Sequence, residues 1–171
     1  MEVEQLVIKA KKGDDEAFYK LMLNHKEKLY RIALSYLKNE VDAVEAIQET
    51  TYRAYKQLKK LKEPKFFSTW LIKILINFCI DEQKHKQKQI VQLQKEEVIN
   101  EVEPSSKIEL ERVITKLQPH FQHVVILKYF HDLTVPEIAK VLEKPEGTIK
   151  TWLHKALLEM KNRMEREDFY V

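Results

Sequence analysis

The chain has 171 residues, 44% of them apolar and 33% charged, so it can bury a core while keeping a polar surface. With only 2 Gly and 5 Pro it lacks the turn residues that an all-β fold demands, and an all-α fold is predicted. The formal charge of +3 is uneven: residues 1–88 carry +5, residues 89–106 carry −3 and residues 107–171 carry +1, which makes nucleic acid a plausible partner for the first part.

In chain order, residues 2–12 suggest a short helix stopped by Gly13, with Asp14 or Asp15 capping the next one. That second helix carries Phe18, Leu21, Met22, Leu29, Ile32, Ala33 and Tyr36, with an irregularity expected near Asn24–His25. A break at Lys38–Glu40 precedes a third helix over 41–61, whose apolar set reads Val41, Val44, Ile47, Tyr55 and Leu58. Asp42, Glu45, Gln48, Glu49 and Arg53 form a polar stripe opposite, which spacing alone describes as a solvated face. Pro64 ends the following stretch, and a fourth helix is predicted over 67–86, with Phe67, Trp70, Leu71, Ile74 and Phe78 at core spacing. Four such helices can close one core.

Residues 87–106 lack a sustained apolar face and end in Glu-Pro-Ser-Ser, the pattern of a linker. Ser106 and Glu109 make a capping box for a helix over 107–117, and Pro119 opens another over 119–131. Thr134 and Glu137, with Pro136 between them, make a second capping box. The short helix they start ends near Glu143, and a Pro/Gly turn over 144–147 leads into "TIKTWLHKALLEM". Ile138, Val141, Leu142, Ile149 and Leu153 would fill a joint core, and Ala139 is small enough for a close crossing. In the last helix Ala156, Leu157 and Met160 continue the apolar side, while Lys150, Thr151, His154 and Lys155 lie on the other. This matches a helix-turn-helix, although an ordinary helical hairpin has the same spacing. The organisation expected is a domain over 1–88, a flexible linker over 89–106 and a second helical domain over 107–171.

Several function classes find no support. Cys79 is the single cysteine and sits in an apolar run, so no internal disulfide is possible and a buried thiol is expected. The 6 His residues are scattered; His120 and His123 are three apart without a second pair, so neither metal nor cofactor is expected. No nucleophile–base pair or phosphate loop appears, which argues against an enzyme and against a small-molecule substrate. "FFSTWLIKILINFCI" (66–80) is interrupted by Lys73 and Asn77 and falls short of the about 20 apolar residues that span a bilayer. "MEVEQLVIKAKKGDD" has no signal-peptide pattern, so a cytoplasmic location is expected.

"LTVPEIAKVLEKPEGTIKTWLHKAL" resembles the region-4 helix-turn-helix of bacterial sigma factors of the extracytoplasmic function (ECF) group, in Glu137, Ile138, Ala139, Gly147, Thr148, Lys150, Leu153, His154 and Ala156. "DAVEAIQETTYRAY" (42–55) resembles the group's region-2 segment for core RNA polymerase, and "FSTWLIKILINFCIDEQK" (67–84) its segment for the minus-ten element. "AKKGDDEAFYKLM" resembles the group's opening, so the likeness spans nearly the whole chain in the right order. It implies an alternative sigma factor that binds core polymerase, directs it to promoters and assists their opening. A helix-turn-helix regulator acting without polymerase, and a helical interaction protein that no longer binds DNA, stand as alternatives.

The resemblance also implies roles for residues. Asp42, Glu45, Gln48, Glu49 and Arg53 would dock on the clamp helices of the polymerase's largest subunit, with charge pairs setting register. Region 4 would meet the flap of the second-largest subunit. Lys59, Lys60, Lys62 and Lys65 beside Phe66 would grip phosphates and receive an unstacked base, with Asn77 and Lys84 as further minus-ten contacts. Glu146, Gly147, Thr148, Lys150, Thr151, His154 and Lys155 would face the minus-thirty-five element. An anti-sigma factor, often membrane-anchored in the group, is an implied partner besides polymerase and promoter DNA. The linker would run toward the RNA exit path. Departures are informative: Thr51 stands where Phe is common, "LKEPKFFSTW" replaces an Arg-Gly-rich loop, and Trp152, Lys155 and Leu157 replace frequent Arg residues. Lys makes the bidentate contact to guanine less well than Arg, so weaker or altered base reading is expected at this end.

Overall fold

The structure is a computed structural model that describes residues 2–93 and 106–168. The described residues are helical, with no strand among them, as the composition predicts. Contacts divide the chain into two compact units, Met1–Lys95 and Glu96–Val171.

The first unit contains four helices. Helix α1 (Val3–Lys11) ends at Gly13, whose φ of +99° favours a residue without Cβ. Asp14 then caps α2 (Asp15–Leu37), its carboxylate accepting from the Ala17 N–H at 3.0 Å. Helix α2 runs unbroken past Asn24–His25, contrary to the expected irregularity. His25 turns inward, and both ring nitrogens find partners, so its polarity does not disturb the helix. Lys38 stops α2 in the left-handed region at φ 54°, and Asn39 caps α3 (Glu40–Gln57) through the Asp42 N–H.

Helix α3 corrects the sequence reading most. Its buried face is Ala43, Ala46, Thr50 and Ala54, which let α2 and α4 approach closely. Val41, Val44 and Tyr55, expected to be core, lie at least 47% exposed, while Ile47 is half-buried and Leu58 buried. The α-helix also stops at Gln57, short of 61; a 3₁₀ turn follows over Leu58–Lys60 and another over Pro64–Phe66. Helix α4 (Phe67–Leu93) buries Phe67, Leu71, Ile72, Leu75, Ile76 and Cys79, leaving Trp70, Ile74 and Phe78 half-buried. It continues past the expected end at 86, so residues 89–93 of the expected linker are helical; residues 94–105 lie outside the described residues.

The second unit begins with α5 (Ser106–Thr115), whose first residue is Ser106; that side chain lies outside the described residues, and with it the expected capping box. Gln122 donates to the carbonyls of Thr115 and Leu117, at 3.2 and 2.7 Å, and so satisfies the end of α5. Helix α6 (Pro119–Val125) has Pro at its start and runs into a π-helical segment over Ile126–Phe130. Helix α7 (Val135–Leu142) is capped by Thr134, which accepts from the Glu137 N–H at 3.3 Å. Helix α8 (Glu146–Asp168) crosses it and buries Ile149, Leu153, Ala156 and Met160. Ala156 and Met160 join Val113, Ile114, Leu117 and Val125 in one cluster.

Two details of the helix-turn-helix differ from expectation. Glu143, in the left-handed region at φ 55°, turns the chain, whereas Gly147 already lies in the first turn of α8. Leu157, expected on the apolar side, is exposed.

One polar group in the first core stands out. Thr50 is fully buried, and its hydroxyl has no hydrogen-bond partner among the described residues. Leaving such a group unsatisfied costs about 1–3 kcal/mol. Thr50→Val should therefore stabilise the first unit by about 1 kcal/mol. Urea unfolding followed by Trp70 fluorescence in a Trp152→Phe background measures this, because each unit holds one Trp. A destabilised variant would show that the hydroxyl is satisfied.

Candidate nucleic-acid and polymerase interfaces

The polar stripe predicted on α3 divides in two. Asp42 pairs with Lys86 of α4, Arg53 donates to Glu49 at 2.9 Å, and the Arg53 guanidinium lies 5.4 Å from the Phe78 ring centre. These three polar residues are half-buried and engaged within the unit; only Glu45 and Gln48 are fully on the outer face. There they stand with Val41, Val44, Tyr52 and Tyr55, at helical spacing and opposite the alanines. The Tyr55 hydroxyl donates to Asp15 at 2.8 Å, and that bond raises its pKa. The outer face of α3 is thus an apolar strip carrying one carboxylate and one amide, bordered by Lys56, whose ammonium lies 4.6 Å from the Tyr52 ring centre. Sequence reading missed Val41, Val44 and Tyr52 as surface residues. The Ala43–Ala46–Thr50–Ala54 spacing was the signal that would have found them.

Lys59, Lys60, Lys62 and Lys65 are all exposed on the segment that connects α3 to α4. Lys65 pairs with Glu63 at 3.2 Å and its ammonium lies 4.9 Å from the Phe66 ring centre. Phe66 is half-buried, whereas Phe67 is fully buried beneath it in sequence, with its ring edge-on to His25 at 5.3 Å. Asn77 and Lys84 are exposed and seven residues apart, hence on one face of α4.

His25 is held firmly. Its Nδ1 lies 2.7 Å from the Leu21 carbonyl, which can only accept, so Nδ1 carries the proton. Nε2 therefore accepts from the Ser68 hydroxyl, also at 2.7 Å. Burial lowers the pKa of this imidazole below 6.5; the Leu21 bond opposes that shift and nearby Lys28 reinforces it.

On α8, Glu146, Gly147, Lys150, Thr151, His154 and Lys155 are exposed and Thr148 is half-buried. Gly147, Thr151 and His154 run along the middle of the face turned away from the core, with Lys150 on one flank and Thr148 and Lys155 on the other. The Thr151 hydroxyl donates back to the Gly147 carbonyl at 3.0 Å, so it offers an outside partner an acceptor and a methyl group. Trp152 is half-buried, its ring 4.8 Å from that of His120, which in turn lies 4.2 Å from Phe121. It borders the Thr148–Lys155 flank, between core and outer face.

Comparison with known proteins matches these two units to two family models, Sigma-70 region 2 over residues 21–89 and Sigma-70 region 4 over residues 107–160. The ECF RNA polymerase sigma factor SigW of Bacillus subtilis is 30% identical over 175 residues, covering 91% of this chain and 92% of SigW. RNA polymerase sigma factor SigV of the same organism is 29% identical over 150 residues, covering 85% and 89%. Among solved structures, CnrH, in complex with the cytosolic domain of CnrY, has the same fold with a TM-score of 0.72 at 21% identity, covering 96% of this chain and 97% of CnrH. The sigma factor RpoE of Bartonella quintana, in complex with the anti-sigma factor NepR, gives a TM-score of 0.69 at 16% identity over 86% of this chain and 96% of RpoE. The chain belongs to the ECF group of RNA polymerase sigma factors. It is an alternative sigma factor for transcription initiation.

His25 gives the first unit a testable pH dependence. The unfolded chain takes up a proton near pH 6.5 and the folded chain only at lower pH. The stabilising contribution is therefore complete above that value and is lost as pH falls through it. The thermal midpoint reported by Trp70 in a Trp152→Phe background should drop as pH is lowered from about 7.5 to about 5.5, and His25→Gln should remove most of that drop. A midpoint equally pH-dependent in the variant would assign the effect to another group.

Proposed function

We propose that the outer strip of α3, led by Val41, Val44, Glu45 and Gln48, docks on the clamp helices of the polymerase's largest subunit, and that the second unit meets the flap of its partner subunit. Asp42 and Arg53 serve this docking by fixing α3 against α4, and Glu49 holds the Arg53 guanidinium in place. The Lys59–Phe66 segment, with Asn77 and Lys84, engages the minus-ten element. The α8 face from Glu146 to Lys155 reads the minus-thirty-five element, and the exposed amides near Gly147 and Thr148 meet a phosphate there. The protein acts in the cytoplasm; among the described residues no helix is long and apolar enough to cross a membrane.

The observation that carries this reading is the outward apolar strip on α3, in the unit that matches region 2. Exposed apolar groups of this kind mark interaction surfaces. The solved complexes of CnrH and RpoE with their partners support a further step, that an anti-sigma factor covers these surfaces when the protein is idle.

Run-off transcription with purified core enzyme on fragmented genomic DNA, followed by start-site mapping, tests the reading as a whole. Absence of any sigma-dependent start, together with absence of core binding, would overturn it. Val44→Asp should weaken core binding at least about tenfold, because it places a charge in the centre of an apolar contact. Asp42→Ala should change that affinity far less, since its carboxylate is committed to Lys86. Equal losses would contradict the division of α3 into an outer and an inner face.

For promoter binding, Lys150→Ala and Lys155→Ala separate two kinds of contact. A lost phosphate contact lowers the log–log salt slope by about 0.9, whereas a lost base contact relaxes preference at one position by about 1–3 kcal/mol. If neither variant changes promoter binding, this face of α8 does not lie on DNA.

A further inference from the structure

The segment that links α3 to α4 has an exposed middle and fixed ends. Lys62, Glu63 and Lys65 face solvent, and their one ion pair, Lys65–Glu63, joins side chains that are each more than half exposed. Such a pair holds little. The order of the segment comes instead from what lies beneath it. At one end Leu58 and Leu61 are buried, and the Leu61 carbonyl, in extended backbone beyond the 3₁₀ turn, accepts from the Lys11 ammonium at 2.5 Å. At the other end Phe67 is buried, and Ser68 donates to His25, whose orientation Leu21 fixes. Between these ends Pro64 restricts one φ, and the Phe66 N–H donates to the Glu63 carbonyl at 3.0 Å.

From this geometry we infer that Lys11 of α1 and the His25–Ser68 pair are positioning residues for the Lys62–Phe66 loop, holding it in a base-receiving shape before DNA arrives. The inference rests on the proposal that this loop engages the minus-ten element. Lys11 is suited to the task. It belongs to a different helix from the loop, fifty residues away in sequence, and its half-buried ammonium sets the direction of the Leu61 carbonyl and so the plane of the next peptide. A loop already ordered loses less conformational entropy when it captures a base, so more of the contact energy goes into holding the strand apart.

The test uses the full chain and its holoenzyme, on a promoter found by start-site mapping with the parent protein. In Lys11→Met, amide hydrogen exchange over residues 61–66 should rise about tenfold, with exchange in α3 and in the second unit unchanged. Lys11→Arg should restore most of the protection. Promoter opening, read by permanganate reactivity, should slow in Lys11→Met and Ser68→Ala while core affinity and the log–log salt slope of DNA binding stay at the parent's values. In a Phe66→Ala background, Lys11→Met should add little, because the group it positions is gone. A salt slope reduced by about 0.9 would make Lys11 a direct phosphate contact and overturn the inference. So would unchanged exchange in both Lys11→Met and Ser68→Ala, or full additivity with Phe66→Ala. If Phe66→Ala and Lys62→Ala both leave opening intact while exchange still rises, the base-receiving role of the loop is what fails, and the inference falls with its premise.

Discussion

The first unit depends on how closely α3 can approach its neighbours. Four small side chains at helical spacing, Ala43, Ala46, Thr50 and Ala54, set that distance, and all four are fully buried. A larger residue at Ala46 would push α2 and α4 apart at a cost of about 1–3 kcal/mol. The same constraint decides what α3 shows to the outside. With the inward face taken by alanines, the large apolar residues have only the outward face left. Val41 is 76% exposed for this reason, and Tyr52 and Tyr55 are more than half exposed. A helix packed through larger side chains would have no need to present such a strip.

The second unit solves a different problem, a tight turn between α7 and α8 without a glycine at the bend. Glu143 occupies the left-handed region, which costs a residue with a Cβ about 1–2 kcal/mol. The turn is held by the Lys144 N–H, which donates to the Ala139 carbonyl at 3.0 Å, and by the Thr134 cap at the far end of α7. Gly147 is thereby released from turn duty. Its φ is not positive, and an added Cβ would meet nothing within 4 Å. Neither packing nor backbone conformation accounts for a glycine in the first turn of a helix, where it is disfavoured relative to Ala. Close approach of the bare backbone to a partner would account for it, as in the phosphate contact proposed for the start of α8.

Much of this architecture was legible from residue patterns because caps and breakers act locally. Gly13, Asp14, Asn39, Pro119 and Thr134 mark helix ends through one hydrogen bond or one restricted dihedral, and such signals do not depend on distant residues. Which face of a helix is buried depends on the neighbours, and there the pattern misled. On α3 the large apolar residues looked like core, yet small ones won because neighbouring helices came close. On α2 a histidine looked like a disturbance, yet a carbonyl of its own helix and a serine 43 residues away satisfied it. The predicted site residues show the same division. The lysines of the α3–α4 connection and the polar face of α8 are exposed where spacing put them. Asp42 and Arg53 went to Lys86 and Phe78, neighbours on α4 that only the fold supplies, while Glu49 took the i+4 partner Arg53 on its own helix.

That redistribution of charge separates the two proposed binding modes physically. Once Asp42 is paired with Lys86 and Glu49 with Arg53, the outer strip of α3 retains the Glu45 carboxylate among valines and tyrosines, with the Lys56 ammonium over the Tyr52 ring at its edge. Its contact with polymerase would draw mainly on burial of apolar surface, which ionic strength hardly affects. In the proposed DNA contacts the cations of the α8 face and of the segment before α4, where Lys65 is already paired with Glu63, would meet a polyanion, and such contacts weaken steeply as salt rises through counterion release. With contacts divided as proposed, the factor would stay on its enzyme while its grip on promoter DNA responded to ionic conditions. The small alanines of α3 make that division possible: by drawing α4 close, they bring Lys86 and Phe78 within reach of the charges that would otherwise face the polymerase.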